Sequence, residues 1–193
     1  MDAIEADYLA AARRGDTAEV ARLEGLIDTR QEADRARLTG PGALLGAALW
    51  YAEQGVTVFP CLPGGKAPAT KHGFKDATTY EGQIRSWWAE NPSYNIGVPT
   101  GHRFDVFDID GPAGMLAFGD WLDRGGVPRI IGLALTPRGR HYYVPANPEA
   151  KNTTGLLPSV DYRGRGGYVI APPSTTPAGA YVWVHPLPGE VAA

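Results

Sequence analysis

FDVFDIDG, residues 104–111, is the stretch on which the reading of this chain turns. Its apolar, β-branched and aromatic residues make it a strand, and strand side chains alternate between the two faces. Asp108 and Asp110 therefore share one face, about 7 Å apart along the strand. Phe107 and Ile109 take the other face and point into a core. Two carboxylates on one face of a buried strand repel each other and are costly to desolvate. A divalent cation would relieve both costs, and oxygen-only ligation suits Mg²⁺ or Mn²⁺. A strand that merely ends in acidic residues at a turn fits the same pattern. Asp105 has the opposite phase to Asp108 and is expected to face a basic group or solvent.

Downstream, TPRGRHYY (136–143) opens another strand, with Gly139 two residues before His141 and with Arg138 and Arg140 beside it. His141 reads either as an ordinary edge-strand histidine or, given the flanking arginines, as part of a polyphosphate site. PSVDYRGRGGYVIAPPS (158–174) follows, where Asp161 ends an apolar strand next to Arg163 and Arg165. Gly164, Gly166 and Gly167 would let backbone N–H groups approach an anion, or would simply make a tight hairpin with Arg163 paired to Asp161. Residues 136–165 carry five Lys/Arg and two acids, net +3. Three carboxylates on two strands, one histidine and this arginine cluster form a coherent site for a metal-bound triphosphate. Upstream, LPGGKAPATKHGFKDATT (62–79) adds Lys66, Lys71, His72 and Lys75. This loop reads as a solvated surface loop or as a basic flap that contacts the template or the active site.

Around these motifs the chain divides in two. Residues 1–40 hold 6 basic and 9 acidic side chains, no proline and 3 glycines; the other 153 residues hold 12 of each charge and all 17 prolines. That shift puts a boundary near Gly40-Pro41-Gly42, giving an N-terminal helical appendage (1–40) and a main domain (41–193). Helices are expected at 2–14, 17–38 (capped by Asp16 or Thr17, with Val20, Leu23 and Ile27 at helical spacing), 43–54, 79–90 and 112–124. Further strands are expected at 56–59, 95–98, 133–136, 141–144, 160–162, 168–171 and 181–184. Helices flanking a mixed or antiparallel sheet make an α+β fold. The single cysteine, Cys61, excludes an intramolecular disulfide and a multi-cysteine zinc site. It fits a reducing, cytoplasmic setting. The N-terminus lacks the apolar core of a signal peptide, and no apolar run approaches the ~20 residues that span a bilayer, so no membrane partner is expected. A net charge of −3 excludes non-specific attraction to nucleic acid as the main binding force.

From Ala43 to Val184 the chain resembles the bifunctional primase–polymerase domain of the archaeo-eukaryotic primase superfamily. The blocks that carry the likeness are ALWYAEQGVTVFPCLPGGKAP, HGFKDATT, IRSWWAENPSYNIGVPTG, VFDIDG, TPRGRHYYV and VDYRGRGGYVIAPPS with YVW behind it. Their order and spacing agree over all six. The resemblance implies a helix-bearing N-terminal unit packed on an RNA-recognition-motif-like catalytic unit, with the active site between them. It implies that Asp108, Asp110 and Asp161 bind metal, that His141 contacts the incoming triphosphate, and that Arg163 lies near the nucleotide. Where such domains often carry Gly-Gly before the histidine, this chain has Gly139-Arg140. The implied activity is template-directed nucleotidyl transfer, by a DNA primase or polymerase with two Mg²⁺ or Mn²⁺ ions. Arg138 and Arg140 join His141 and Arg163 as expected nucleotide contacts, and Lys66, Lys71 and Lys75 are expected on the nucleic acid. The expected partners are a single-stranded DNA template, NTPs or dNTPs, and a helicase domain or protein such as many relatives carry.

Three other readings compete. A metal-dependent nuclease would use the same carboxylates and histidine. A nucleic-acid-binding module would instead expose aromatics on a sheet face. Tyr142, Tyr143, Tyr162 and Tyr168 are the candidates for that, although alternation sends at least half of them into the core. An inactive primase relative acting as an adaptor is the third.

Overall fold

A computed structural model describes residues 42–125 and 129–187, together with Asp7, Ala11, Arg14, Asp16, Ala18, Glu19 and Arg22. The helices expected over 2–14 and 17–38, with Val20, Leu23 and Ile27, lie largely outside the described residues. The expected cap is present in part: the Glu19 N–H donates to Asp16 Oδ1 at 3.0 Å.

Helix α1 (Ala43–Glu53) closes at Gln54 and Gly55, the latter with φ 71°, a left-handed position that suits glycine after a helix. Strand β1 (Phe59–Cys61) follows, then a 3₁₀ turn (Gly73–Asp76) and α2 (Glu81–Glu90), which buries Ile84 and Trp88. β2 (Asn95–Pro99) and β3 (Phe104–Asp110) lead straight into α3 (Gly111–Asp123). After it come β4 (Gly132–Thr136), β5 (Gly139–Pro145), β6 (Thr153–Leu157), β7 (Val160–Arg163), β8 (Tyr168–Ala171), the short β9 (Thr175–Thr176) and β10 (Gly179–Ala180), and β11 (Val182–His185). Mixed helix and antiparallel sheet make this an α+β structure.

Six strands form one antiparallel sheet in the order β11-β4-β5-β3-β7-β6, and three form a second in the order β1-β2-β8. β3 lies inside the large sheet, flanked by β5 and β7. β5 is antiparallel to both β3 and β4, so β3 and β4 run the same way, with α3 crossing between them.

Alternation along β3 decides what each face packs against. Phe104 and Val106 face the small sheet and α1 and α2, in a core with Ile96, Val98, Val169, Tyr51, Ile84 and Trp88. Phe107 and Ile109 face α3, in a core with Met115, Phe118, Tyr142 and Val160 that also holds Ala11 from the N-terminal segment. The large sheet is thus a middle layer, and its face toward the small sheet is the one on which Asp108 and Asp110 continue the phase of Phe104 and Val106.

Several segments depart from expectation. The strand expected at 56–59 forms later, at Phe59–Cys61, and contains Pro60; β1 is the edge of its sheet, where a missing N–H is tolerated. β6 and the short β9 and β10 are strands outside the predicted set. Among the described residues no helix is long and apolar enough to cross a membrane.

Candidate active site

The expected carboxylate and histidine positions are joined by register. Asp108 on β3 lies directly opposite His141 on β5 and Asp161 on β7. Residues opposite one another on neighbouring strands point to the same face, so three widely separated segments deliver one row of side chains. Asp110 follows two residues on, opposite Gly139.

Local geometry fixes the end of this row. The Asp110 N–H donates to the Ser159 carbonyl at 2.9 Å, and the Gly111 N–H donates to the Arg138 carbonyl at 2.8 Å. Two hairpin tips, β4–β5 and β6–β7, therefore clamp the point where β3 becomes α3. Gly111 has φ 63°, which lets strand and helix join without a loop. A Cβ at Gly139 would overlap the carbonyl of Ile109, so the small residue two before His141 is needed for close approach to β3.

Ion pairs hold the row together. His141 Nε2 is 3.3 Å from Asp108 Oδ1. One Arg163 Nη2 is 3.3 Å from Asp108 Oδ2 and 2.7 Å from Asp161 Oδ2. Asp161 Oδ1 accepts the Gly155 N–H at 2.7 Å. Asp110 Oδ2 pairs separately with Arg138 Nη2 at 3.0 Å. Burial alone would raise the Asp108 carboxyl, but the hydrogen bond and charge of His141, and then Arg163, outweigh it and hold it at about 2. Asp108 and Asp161 thus converge on one cationic nitrogen while Asp110 stands apart on Arg138. Among the described residues no three His, Cys, Asp or Glu side chains are grouped closely enough to hold a metal ion.

His141 is only 6% exposed in its side chain and lies inside the sheet, between β4 and β3, so it is no edge-strand histidine. Its ring lies beside those of Tyr143 and Tyr181. Two cavities open on either side of the Asp108–His141 pair. One, about 270 Å³, carries Arg163, Gly166, Gly167 and Tyr168; the other, about 200 Å³, carries Asp110, Thr136 and Arg138. Lys66, Asp108, His141 and Tyr181 border both.

Several expected residues lie elsewhere. Arg140 alternates to the α3-side face of β5, level with Ile109 and Leu135, and is 4% exposed; it does not join His141. Asp105 does not face solvent, and among the described residues no basic group pairs with it. It is fully buried, accepting the Tyr162 hydroxyl at 2.6 Å and the Asn147 N–H at 2.8 Å. In the glycine loop, the Gly167 N–H donates to the Gly164 carbonyl and the Arg165 N–H to the Ala150 carbonyl, so these two donors serve the turn and not an anion. Gly167 instead packs tightly on Thr100 and Asn152. The three lysines do not form one patch. Lys66 borders the carboxylate row, Lys71 lines a separate cavity with His72, Tyr80 and Trp87, and Lys75 lies exposed in the 3₁₀ turn.

None of the four tyrosines offers an exposed platform. Tyr142 and Tyr143 are buried. Tyr162 packs on Phe107, and Tyr168 packs on Phe59 and Phe74. Sequence reasoning missed Tyr181, whose phenol is pushed up to about 12 by burial and then by the Asp108 charge. Only its place in the YVW block marked it, since a lone strand tyrosine carries no chemical signature.

No curated protein matches the chain. A family model described as bifunctional DNA primase/polymerase, N-terminal, matches residues 48–192, a span that contains the carboxylate row, both hairpin tips and the lysine loop. The match covers most of the chain, and the chain belongs to the bifunctional DNA primase/polymerase N-terminal family, a family of nucleotidyltransferases.

Proposed function

We propose that this chain carries out template-directed nucleotidyl transfer, as a DNA primase, a DNA polymerase or both, with residues 41–193 as the catalytic unit and 1–40 as an N-terminal helical unit. The observation that carries the reading is the register of Asp108 with both His141 and Asp161, which brings a carboxylate from each of two strands and a histidine from a third to one face. The β3–α3–β4 crossover with β5 between the strands supports an RNA-recognition-motif-like catalytic unit within a primase fold. Its substrates are a nucleoside triphosphate and a single-stranded DNA template, and a helicase remains the expected partner.

The donor chemistry fits Mg²⁺ or Mn²⁺. Asp108 and Asp161 already share one positive charge, all the candidate donor atoms are carboxylate oxygens, and Asp110 is the next residue on the same face. Asp108, Asp110 and Asp161 would hold two such ions, which would supply Lewis-acid stabilisation of the attacking and leaving oxygens. The remaining work falls to the protein. His141 and Arg163 keep Asp108 ionised against the cost of its burial. Arg163 and Arg138, one in each cavity, offer guanidinium groups to phosphate oxygens. Tyr143 and Tyr181 fix the His141 ring, so its Nε2 edge stays aimed at the carboxylate row.

The test is extension of a labelled primer on single-stranded DNA with Mg²⁺ or Mn²⁺, comparing the wild type with Asp108→Ala/Asp110→Ala. Metal-dependent extension that the double substitution lowers by about 10³-fold or more is expected. A folded wild type that extends nothing with either metal would overturn the proposal. An unprimed template then tests priming.

A further inference from the structure

We propose that Lys66 binds the polyphosphate of the incoming nucleotide, and that the buried Asn95 amide positions it; this rests on the nucleotidyl-transfer reading above. Lys66 borders both cavities beside Asp108 and His141, yet it comes from a loop of the small sheet rather than from the strands that carry the other site residues. Its charge is unmatched. Asp108, Asp110 and Asp161 are each paired with Arg138, Arg163 or His141, whereas among the described residues no carboxylate lies within ion-pair distance of Lys66. The Lys66 ammonium stands 6.0 Å from the centre of the ring of Tyr181, a residue that borders both cavities. An unmatched cation overhanging a site whose acids are already neutralised is a seat for an anion.

The loop is built to hold that cation in place. Asn95 is 1% exposed, and its Nδ2 donates to the Gly65 carbonyl at 2.9 Å and to the Thr175 carbonyl at 2.7 Å. Its Oδ1 accepts the Thr175 N–H at 3.1 Å, so every polar atom of the amide is engaged. The Tyr168 hydroxyl donates to the Lys66 carbonyl at 3.2 Å, and the Leu62 N–H donates to the Ala67 carbonyl at 2.8 Å, closing the turn. The backbone at Lys66 is thus pinned from β2 and from β8. A solvated surface loop would not engage a fully buried side chain in this way. The ligand chemistry is phosphate. The nucleotide is favoured over a template backbone because Lys66 borders two small cavities that share the Asp108–His141 pair, whereas a strand needs an open groove that tracks its backbone.

The test compares wild type, Lys66→Ala and Lys66→Arg in titrations with a fluorescent nucleoside triphosphate plus Mg²⁺, the matching monophosphate, and a labelled single-stranded DNA. Lys66→Ala should weaken triphosphate binding about 10-fold, and Lys66→Arg should keep it within about 3-fold, because the charge is retained. Monophosphate and DNA affinity should change less than about 2-fold. Asn95→Ala, or the milder Asn95→Ser, should cost several-fold in triphosphate affinity in the wild type and nothing further in Lys66→Ala, whereas a purely structural role would cost the same in both backgrounds. Unchanged triphosphate affinity in Lys66→Ala, or a loss confined to DNA, would overturn the Lys66 assignment alone. A folded wild type that binds no triphosphate would overturn the nucleotidyl-transfer reading and this proposal with it.

Discussion

Asp105 and Asp108 lie three positions apart on β3, and that odd spacing sends them to opposite faces of the sheet. Asp108 meets the cleft, where His141 and Arg163 supply positive charge from two neighbouring strands. Asp105 meets the core, and its compensation is local: the Tyr162 hydroxyl and the Asn147 N–H donate to the same oxygen, Oδ2. A buried carboxyl survives only with such donors. Tyr162→Phe removes the hydroxyl and little else, leaving the ring packed on Phe107. It should cost about 1–3 kcal/mol of stability, with the thermal midpoint falling by several degrees. Nucleotide binding should persist wherever the variant is folded, because Asp105 lies on the face away from the site. A midpoint unchanged within error would show that this bond contributes nothing to the fold.

At the scale of elements, the site depends on how closely β5 can approach the end of β3. Gly139 lies against the Ile109 carbonyl, and the neighbouring hairpin tips hold Asp110 and Gly111 by backbone hydrogen bonds. In Gly139→Ala the methyl group has no room, so β5 must shift away from the carboxylate row. The expected cost is about 1–3 kcal/mol of stability by urea denaturation, with primer extension at a folding-permissive temperature falling further than the folded fraction. Activity that tracks the folded fraction alone would show that the row tolerates the shift. The sequence displayed this element well in one respect and poorly in another. Alternation in FDVFDIDG placed Asp108 and Asp110 on one face, because two charges stand out of phase with the apolar residues beside them. Alternation equally separates Arg140 from His141, but the motif grouping set them together. The destination of Asp105 was hidden because its partner, Tyr162, is 57 residues away. β6 was hidden for another reason: Thr153–Gly155 and Leu156 are exposed, so no buried face imposes a pattern, and pairing with β7 alone makes it a strand.

At the scale of the whole molecule, the six-stranded and three-stranded sheets meet at the site, and Cys61 reports on that meeting. Its thiol is fully buried on β1, in a cluster with Phe59, Ile170 and Tyr181. Tyr181 belongs to the segment that leads into β11 of the large sheet and borders both cavities, so the cluster joins the small sheet to the site wall. Parting the sheets would expose Cys61 and disturb Tyr181 together. Burial pushes the thiol from 9.0 to about 12, so the folded state holds its proton more firmly than the unfolded state does. The sign follows from the raised value: this contribution to stability is complete below about pH 9 and is lost as pH climbs toward 12, by up to about 4 kcal/mol. Two outcomes are expected. Near pH 8 a thiol reagent should label the native protein orders of magnitude more slowly than the urea-unfolded chain. In urea titrations at rising pH, the stability difference between wild type and Cys61→Ala should move against the wild type between pH 9 and 11, since only the wild type carries a thiol to ionise. Rapid stoichiometric labelling of the native protein would mean that the sheets part freely at this seam, and the site would then have no fixed wall at Tyr181 on which to hold a nucleotide.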